Sequence, residues 1–325
     1  MLCSKQFLIV NDFNLKKENN GLTFSKFKLT EAYKQLIDNI KRGYHDKAQL
    51  WSIQINISFE FNKLLNKLIN YYFTDINVNN PNVIHLIYSD DLIYNLEVLK
   101  HYQEKKHPIN AYHNHQIVRN HLAQLVSILT LSDKKKIPAL EKIKDEYFDF
   151  NLSVTRQQIK YSGNNLVGIV MKCDDDKNLI IPINEIINII KNNDKQIYSQ
   201  SHLLFWLSWI YEYDKRFSKV NTMRRLDPSI NDKYVTDMTW ILWEILIYFG
   251  KDLENNIIKK MLNIYCSDFK PSQKQKKKNI IIMAFLLILN TNNSDSINRP
   301  LYNNYELTMQ TILNINPTYE KVKNI

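Results

Sequence analysis

Five glycines in 325 residues constrain this chain more than any other feature. All-β folds with many tight turns, and loops that wrap phosphates, need residues free to adopt positive φ, and glycine does so without a Cβ penalty. A chain this poor in glycine is expected to be mainly α. The apolar residues agree with that expectation. Thr30 opens a segment in which Ala32, Leu36, Ile37 and Ile40 recur at helical spacing. Gly43 stops it, as a residue in the left-handed conformation after a helix commonly does. Asp46 is expected to cap the next helix, which carries Ala48, Leu50, Trp51 and Ile55. The stretch Ala32 to Ser58 therefore reads as a tight antiparallel helix pair.

Further helices are expected over Phe59–Phe73, Val83–Tyr88, Leu92–Tyr102 and Gln116–Leu131. The segment from Phe150 to Ile183 differs. It holds two of the glycines, the β-branched Val167 and Ile169, and an acidic turn, Asp174-Asp175-Asp176. It reads as a small irregular or β-hairpin connector. Beyond it, helices are expected over Ile186–Ile190, His202–Tyr213, Val235–Phe249, Ile257–Tyr265, Ile280–Leu289 and briefly near Tyr305. The expected organisation is an N-terminal arm (1–24), a helical domain (25–147), the connector (148–183) and a second helical domain (184–325). Two pairs, Trp206/Trp209 and Trp240/Trp243, each place two rings on one helix face. Their apolar neighbours favour a core role over a platform for stacking bases.

Catalytic signatures are missing. The spacing Gly163 to Gly168 matches a P-loop, but Ile169 and Val170 occupy the positions that need Lys and Ser/Thr. Cys3, Cys173 and Cys266 are odd in number and far apart, which argues against a disulfide framework or a cysteine-based zinc site. Five histidines fall between His101 and His121, among them His113 and His115. That segment reads as a solvated loop leading into a helix rather than a metal site. Neighbouring Asp174, Asp175 and Asp176 should diverge rather than share one metal. No Ser-His-Asp or Cys-His arrangement has a recognisable local context. No catalytic residue, metal or cofactor is expected. The longest apolar run, Ile280–Leu289, is about half of what a bilayer span needs, so no membrane association is expected and an intracellular, soluble protein is.

Charge is the remaining lead. Forty-three Lys and Arg against 33 Asp and Glu leave a net charge of +10, which favours an anionic partner, nucleic acid first. Part of the lysine content reflects an Asn-, Ile- and Lys-rich composition typical of AT-rich coding. The candidate phosphate contacts are Lys41, Arg42, Lys134, Lys135, Lys136, Arg224, Arg225, Lys276, Lys277 and Lys278. Arg224 and Arg225 stand out, because AT-rich coding depletes arginine and the guanidinium grips phosphate bidentately.

Three segments carry a resemblance. Arg42, Gly43, Asp46, Ala48 and Trp51 lie in a helix–turn–helix. Asp75, Ile76 and Pro81 follow after a spacer. Leu125, Ser132 and Lys134 lie in and after a later helix. In order and spacing this region, about 25–144, resembles the C-terminal helical part of the MgsA/RarA family of AAA+ proteins, relatives of clamp loaders. Gln49, Thr74, Asn77 and Asn79 depart from the family pattern, and the ATPase core has no counterpart here. The resemblance implies oligomerisation or partner binding in DNA maintenance, carries over no catalytic residue, and suggests a stand-alone product of a large DNA virus. Two readings follow. One is a non-catalytic accessory factor in DNA replication, repair or packaging, binding DNA and partner proteins or itself. The alternative is a structural or interaction protein, such as a viral particle or host-facing component, whose charge is incidental.

Overall fold

The computed structural model describes residues 21–89, 112–192, 196–217, 222–224, 226–251, 253, 256–267, 269–290 and 300–323. The first twenty residues of the expected arm, the expected helix Leu92–Tyr102, His101, His107 and Arg225 lie outside them. The protein is mainly helical. In chain order the longer helices are α1 (Leu29–Arg42), α2 (His45–Ile57), α3 (Phe61–Tyr71), α4 (Val83–Ile87), α5 (Gln116–Leu131), α6 (Ile180–Lys191), α7 (Gln196–Phe217), α8 (Thr239–Gly250), α9 (Ile257–Cys266), α10 (Lys274–Leu289), α11 (Tyr305–Leu313) and α12 (Ile315–Lys323). Among the described residues there is no strand, and Leu22 and Lys28 form an isolated bridge.

Two compact units form, Met1–Lys136 with Ile297–Ile325, and Ile137–Ser296. These are not the expected boundaries. The C-terminal helices belong with the first unit because Ile315, Tyr319 and Val322 recur at helical spacing and pack on Ile53, Ile57 and Ala123. Asn56 Nδ2 donates to Tyr319 Oη at 2.7 Å, and the guanidinium of Arg119 lies 4.0 Å from the Tyr319 ring centre. Residues 137–150 belong with the second unit. There Trp209 Nε1 donates to the Tyr147 carbonyl at 2.8 Å, and the Phe148 and Phe150 rings pack against Trp209.

The connector at 148–183 is irregular, with single helical turns and no hairpin. It is strapped to one polar face of α6. The buried Glu185 carboxylate accepts from the Lys160 and Tyr161 amides at 2.8–3.1 Å. Asn184 Oδ1 accepts from the Leu166 amide at 2.8 Å, and Asn188 Nδ2 donates to the Asn164 carbonyl at 3.0 Å. Side chains of a regular helix thus satisfy the backbone of a segment that has no ladder of its own.

The Trp pairs are core. Trp206, Trp209, Trp240 and Trp243 are all fully buried, so no unpaired base can stack on them. The α1–α2 turn forms as expected. Gly43 has φ 74°, its amide donates to the Ile40 carbonyl at 3.2 Å, and the Tyr44 amide donates to the Asn39 carbonyl at 2.9 Å. Asp46 does not cap α2. It lies inside the first turn, and Tyr44 occupies the capping position without a side-chain hydrogen bond. A Cβ at Gly43 would meet nothing within 4 Å, so Gly43→Ala is expected to cost only the left-handed backbone term, about 1 kcal/mol. Urea unfolding of the variant measures it.

Candidate nucleic-acid interface

In the first unit α2 runs antiparallel to α5. His45 Nε2 lies 2.9 Å from Ser127 Oγ, and one turn further along α2 Gln49 Nε2 donates to the Ala123 carbonyl at 2.8 Å. The α1–α2 turn therefore sits beside the C-terminal end of α5. Lys41 and Arg42, in the last turn of α1, are exposed, as is Lys47 in the first turn of α2. Lys135 and Lys136, also exposed, follow the end of α5. The Lys135 amide donates to the Asp75 carbonyl at 2.7 Å and its carbonyl accepts from Asn77 Nδ2 at 2.6 Å, which fixes their backbone and leaves the ammonium groups in solvent. Asp46 and Asp133 are exposed at this end as well, and Asp75 is half-exposed, against five exposed cations. A bland role exists for Lys41 and Arg42, since basic residues suit the negative end of a helix.

The other candidates are used inside the protein. Lys134 Nζ donates to the Ser132 carbonyl at 2.6 Å and to the Thr130 carbonyl, closing the end of α5. Burial lowers its pKa to about 8, with Asp133 opposing. It is a helix cap rather than a phosphate contact. Lys277 Nζ donates to the Tyr265 carbonyl at 2.8 Å and to the Ser267 carbonyl, capping α9. Of the same cluster, Lys276 is exposed and Lys278 half-buried, on the first turns of α10.

Arg224 overturns the expectation attached to it. Its side chain is buried, 1% exposed, and its two terminal nitrogens pair with Asp175 at 2.6 Å each. Nε pairs with Glu244, and Nη2 also donates to the Val170 carbonyl at 2.7 Å. Burial alone would lower its pKa, but the hydrogen bonds it donates to Asp175 and Glu244, with their charges, outweigh that and raise it. A guanidinium with its donors committed in this way cannot reach a phosphate. Lys274 is likewise internal, with Nζ 2.6 Å from Asp214 and 2.8 Å from Asp237.

One constellation was invisible in the sequence. Ser127 Oγ, His45 Nε2 and Asp46 form a chain in which Asp46 Oδ1 lies 3.2 Å from His45 Nδ1, the spacing of a hydrolase triad. It cannot perform acyl transfer. Ser127 is fully buried inside α5, where its backbone belongs to the helix ladder, and Gln49 Nε2 donates to its hydroxyl at 2.9 Å. Thr311 Oγ1 closes the remaining side, 3.4 Å from His45 Nε2. This is a polar seam between helices.

The histidine segment is not a solvated loop where it is described. His113 and His115 are buried, the former in a turn of 3-10 helix at Tyr112–Asn114 with its ring edge-on to Phe59. Among the described residues no three His, Cys, Asp or Glu side chains group to hold a metal. Asp174, Asp175 and Asp176 do diverge: Asp175 goes to Arg224, while Asp176 accepts from the Asn178 amide and the Tyr213 hydroxyl at 2.9 Å each. In the second unit a cavity of about 370 Å³ is walled in part by Tyr234, Phe269 and Cys266. Burial pushes the Cys266 thiol up to about 12, so it offers no thiolate nucleophile. Among the described residues no helix is long and apolar enough to cross a membrane.

What the fold and this surface define is a mainly α-helical protein with one end of its first unit rich in exposed cations. No family model, no curated protein and no solved structure matches the chain.

Proposed function

We propose that this protein is a non-catalytic accessory factor in DNA replication, repair or packaging, and that it binds DNA through the α1–α2 end of its first unit. The observation that carries the reading is the set of exposed cations Lys41, Arg42, Lys47, Lys135 and Lys136, drawn from two segments of chain some ninety residues apart and held at adjoining helix ends. Solvated lysine and arginine side chains attract a polyanion, and binding releases its condensed counterions. The resemblance to the helical region of clamp-loader relatives points to the same setting. Partner proteins or self-association fit the helical hairpins.

The alternative reading, a structural or interaction protein, is favoured by a different observation. Arg224, Lys134, Lys274 and Lys277 hold internal positions, so part of the net charge has no bearing on partners. The two readings separate on salt. Fluorescence anisotropy with labelled oligonucleotides at about 50 and about 200 mM salt is expected to show affinity falling by about 10²-fold or more, the result of four or five phosphate contacts. Absence of binding at the lower salt would leave the interaction-protein reading in its place.

A further inference from the structure

Along the outer face of α2 the cations are interleaved with aromatic rings. Lys47 and Trp51, four residues apart, share one side of the helix, with Leu50 at its margin and Tyr44 in the capping position before it. Tyr44 is 50% exposed, and Lys47 Nζ lies 5.3 Å from its ring centre. Trp51 is half-buried because Phe27 covers it edge-on, with ring centres 5.3 Å apart, and Phe27 is itself 46% exposed.

The Phe27 ring is held in place by a closed turn. The Thr23 amide donates to the Phe27 carbonyl at 2.7 Å, the Phe27 amide to Thr23 Oγ1 at 3.1 Å, and the Lys26 amide to the Thr23 carbonyl at 3.0 Å. Gln54 on α2 ties the turn down, donating to Ser25 Oγ at 2.6 Å. Lys26 takes φ 67° at the tip, where glycine would sit without penalty. The turn thus presents Lys26, Phe27 and Lys28 beside one end of the stripe, while Lys41 and Arg42 flank the other. Asp46 is exposed near the Tyr44 end and Glu31 on α1. Against them stand Lys26, Lys28, Lys34, Lys41, Arg42 and Lys47, all exposed.

We infer that this face binds single-stranded DNA, with unpaired bases stacking on Tyr44 and Phe27 and the backbone tracking the flanking cations. The inference rests on the DNA-binding reading above and adds the form of the strand. Both rings offer exposed aromatic surface on pre-ordered backbone. A base can stack on such a ring only when its own face is free, which a duplex interior does not allow. An apolar protein partner would use the rings but gain nothing from the flanking cations, whereas a polyanion with flat bases is complementary to both.

The test measures anisotropy with a labelled single-stranded oligothymidine and a duplex of equal length, using the full chain, Tyr44→Leu and Phe27→Leu. Leucine keeps apolar volume, so Phe27→Leu still covers Trp51, and melting followed by circular dichroism verifies the fold. Tyr44→Leu, at a surface position, carries the test alone if Phe27→Leu disturbs its turn. The expected result is tighter binding of the single strand than of the duplex by the parent chain. Each substitution should then weaken single-strand binding at least about fivefold while the salt slope stays unchanged. Equal affinity for both forms, or single-strand binding unaffected by Tyr44→Leu, overturns the inference and leaves DNA binding intact. No binding of either form by the parent chain overturns the DNA-binding reading and this inference with it.

Discussion

Replacing Arg224 by alanine is expected to destabilise the second unit by about 3–5 kcal/mol, because it strands a buried carboxylate. Asp175 is 6% exposed, and the guanidinium supplies its charge partner. Its other bond is from the Lys172 amide, at 2.7 Å. Glu244 is partly exposed and can turn to water, so the cost centres on Asp175. Removing both buried charges should recover much of the loss: Arg224→Met with Asp175→Leu keeps the volume and leaves only Glu244, which water can reach. Urea unfolding of the single and double variants measures both effects. Unchanged stability in Arg224→Ala, with a loss of DNA affinity, would return Arg224 to the surface role that its residue type suggests.

The second large effect is set by pH. His121 is buried on α5, and burial lowers its pKa from 6.5 to about 4. The folded state therefore holds the ring neutral where the unfolded chain protonates it. A depressed histidine contributes its full stability above the unfolded pKa, and that contribution is lost as pH falls from about 6.5 towards about 4. At about 1.4 kcal/mol per pKa unit, the loss is on the order of 3 kcal/mol over the whole window. Burial also lowers the pKa of His202 in the second unit, which acts in the same direction. The informative quantity is therefore the difference between the parent chain and His121→Gln. Unfolding free energies measured between pH 7 and pH 5 should converge as pH falls. Parallel curves would mean that His121 is not the group that titrates.

The helices were legible because their determinants are local. Gln116–Leu131 begins and ends where the spacing of Val118, Leu122, Leu125 and Leu129 places it, and Gly43 marks the α1–α2 turn because only the backbone at that residue is at issue. The fate of each cation was not local. Arg224 meets Asp175 across 49 positions and Glu244 across 20, from a stretch with no periodicity. Composition carries its charge but not its partners. Lys134 lies just past the end of α5, where a lysine often caps carbonyls, so a signal was present. Lys277 reaches α9 from the following helix, where none was. The return of Ile315, Tyr319 and Val322 to the first unit shows the same limit. Their spacing demands an apolar partner without saying which one. On the candidate surface, Lys41 and Arg42 were recognised from charge alone, whereas Tyr44 and Phe27 gain meaning only once the turn at 21–28 is seen folded against α2.

The most direct test of the DNA-binding account is the slope of log affinity against log salt for the parent chain and for Lys41→Ala with Arg42→Ala and Lys47→Ala. All three side chains are exposed, and among the described residues none of them donates a hydrogen bond. Loss of three phosphate contacts should flatten the slope by about 2–3, since each contact contributes about 0.7–0.9. A slope as steep in the triple variant as in the parent chain would contradict the account, for it would place the DNA on some other surface.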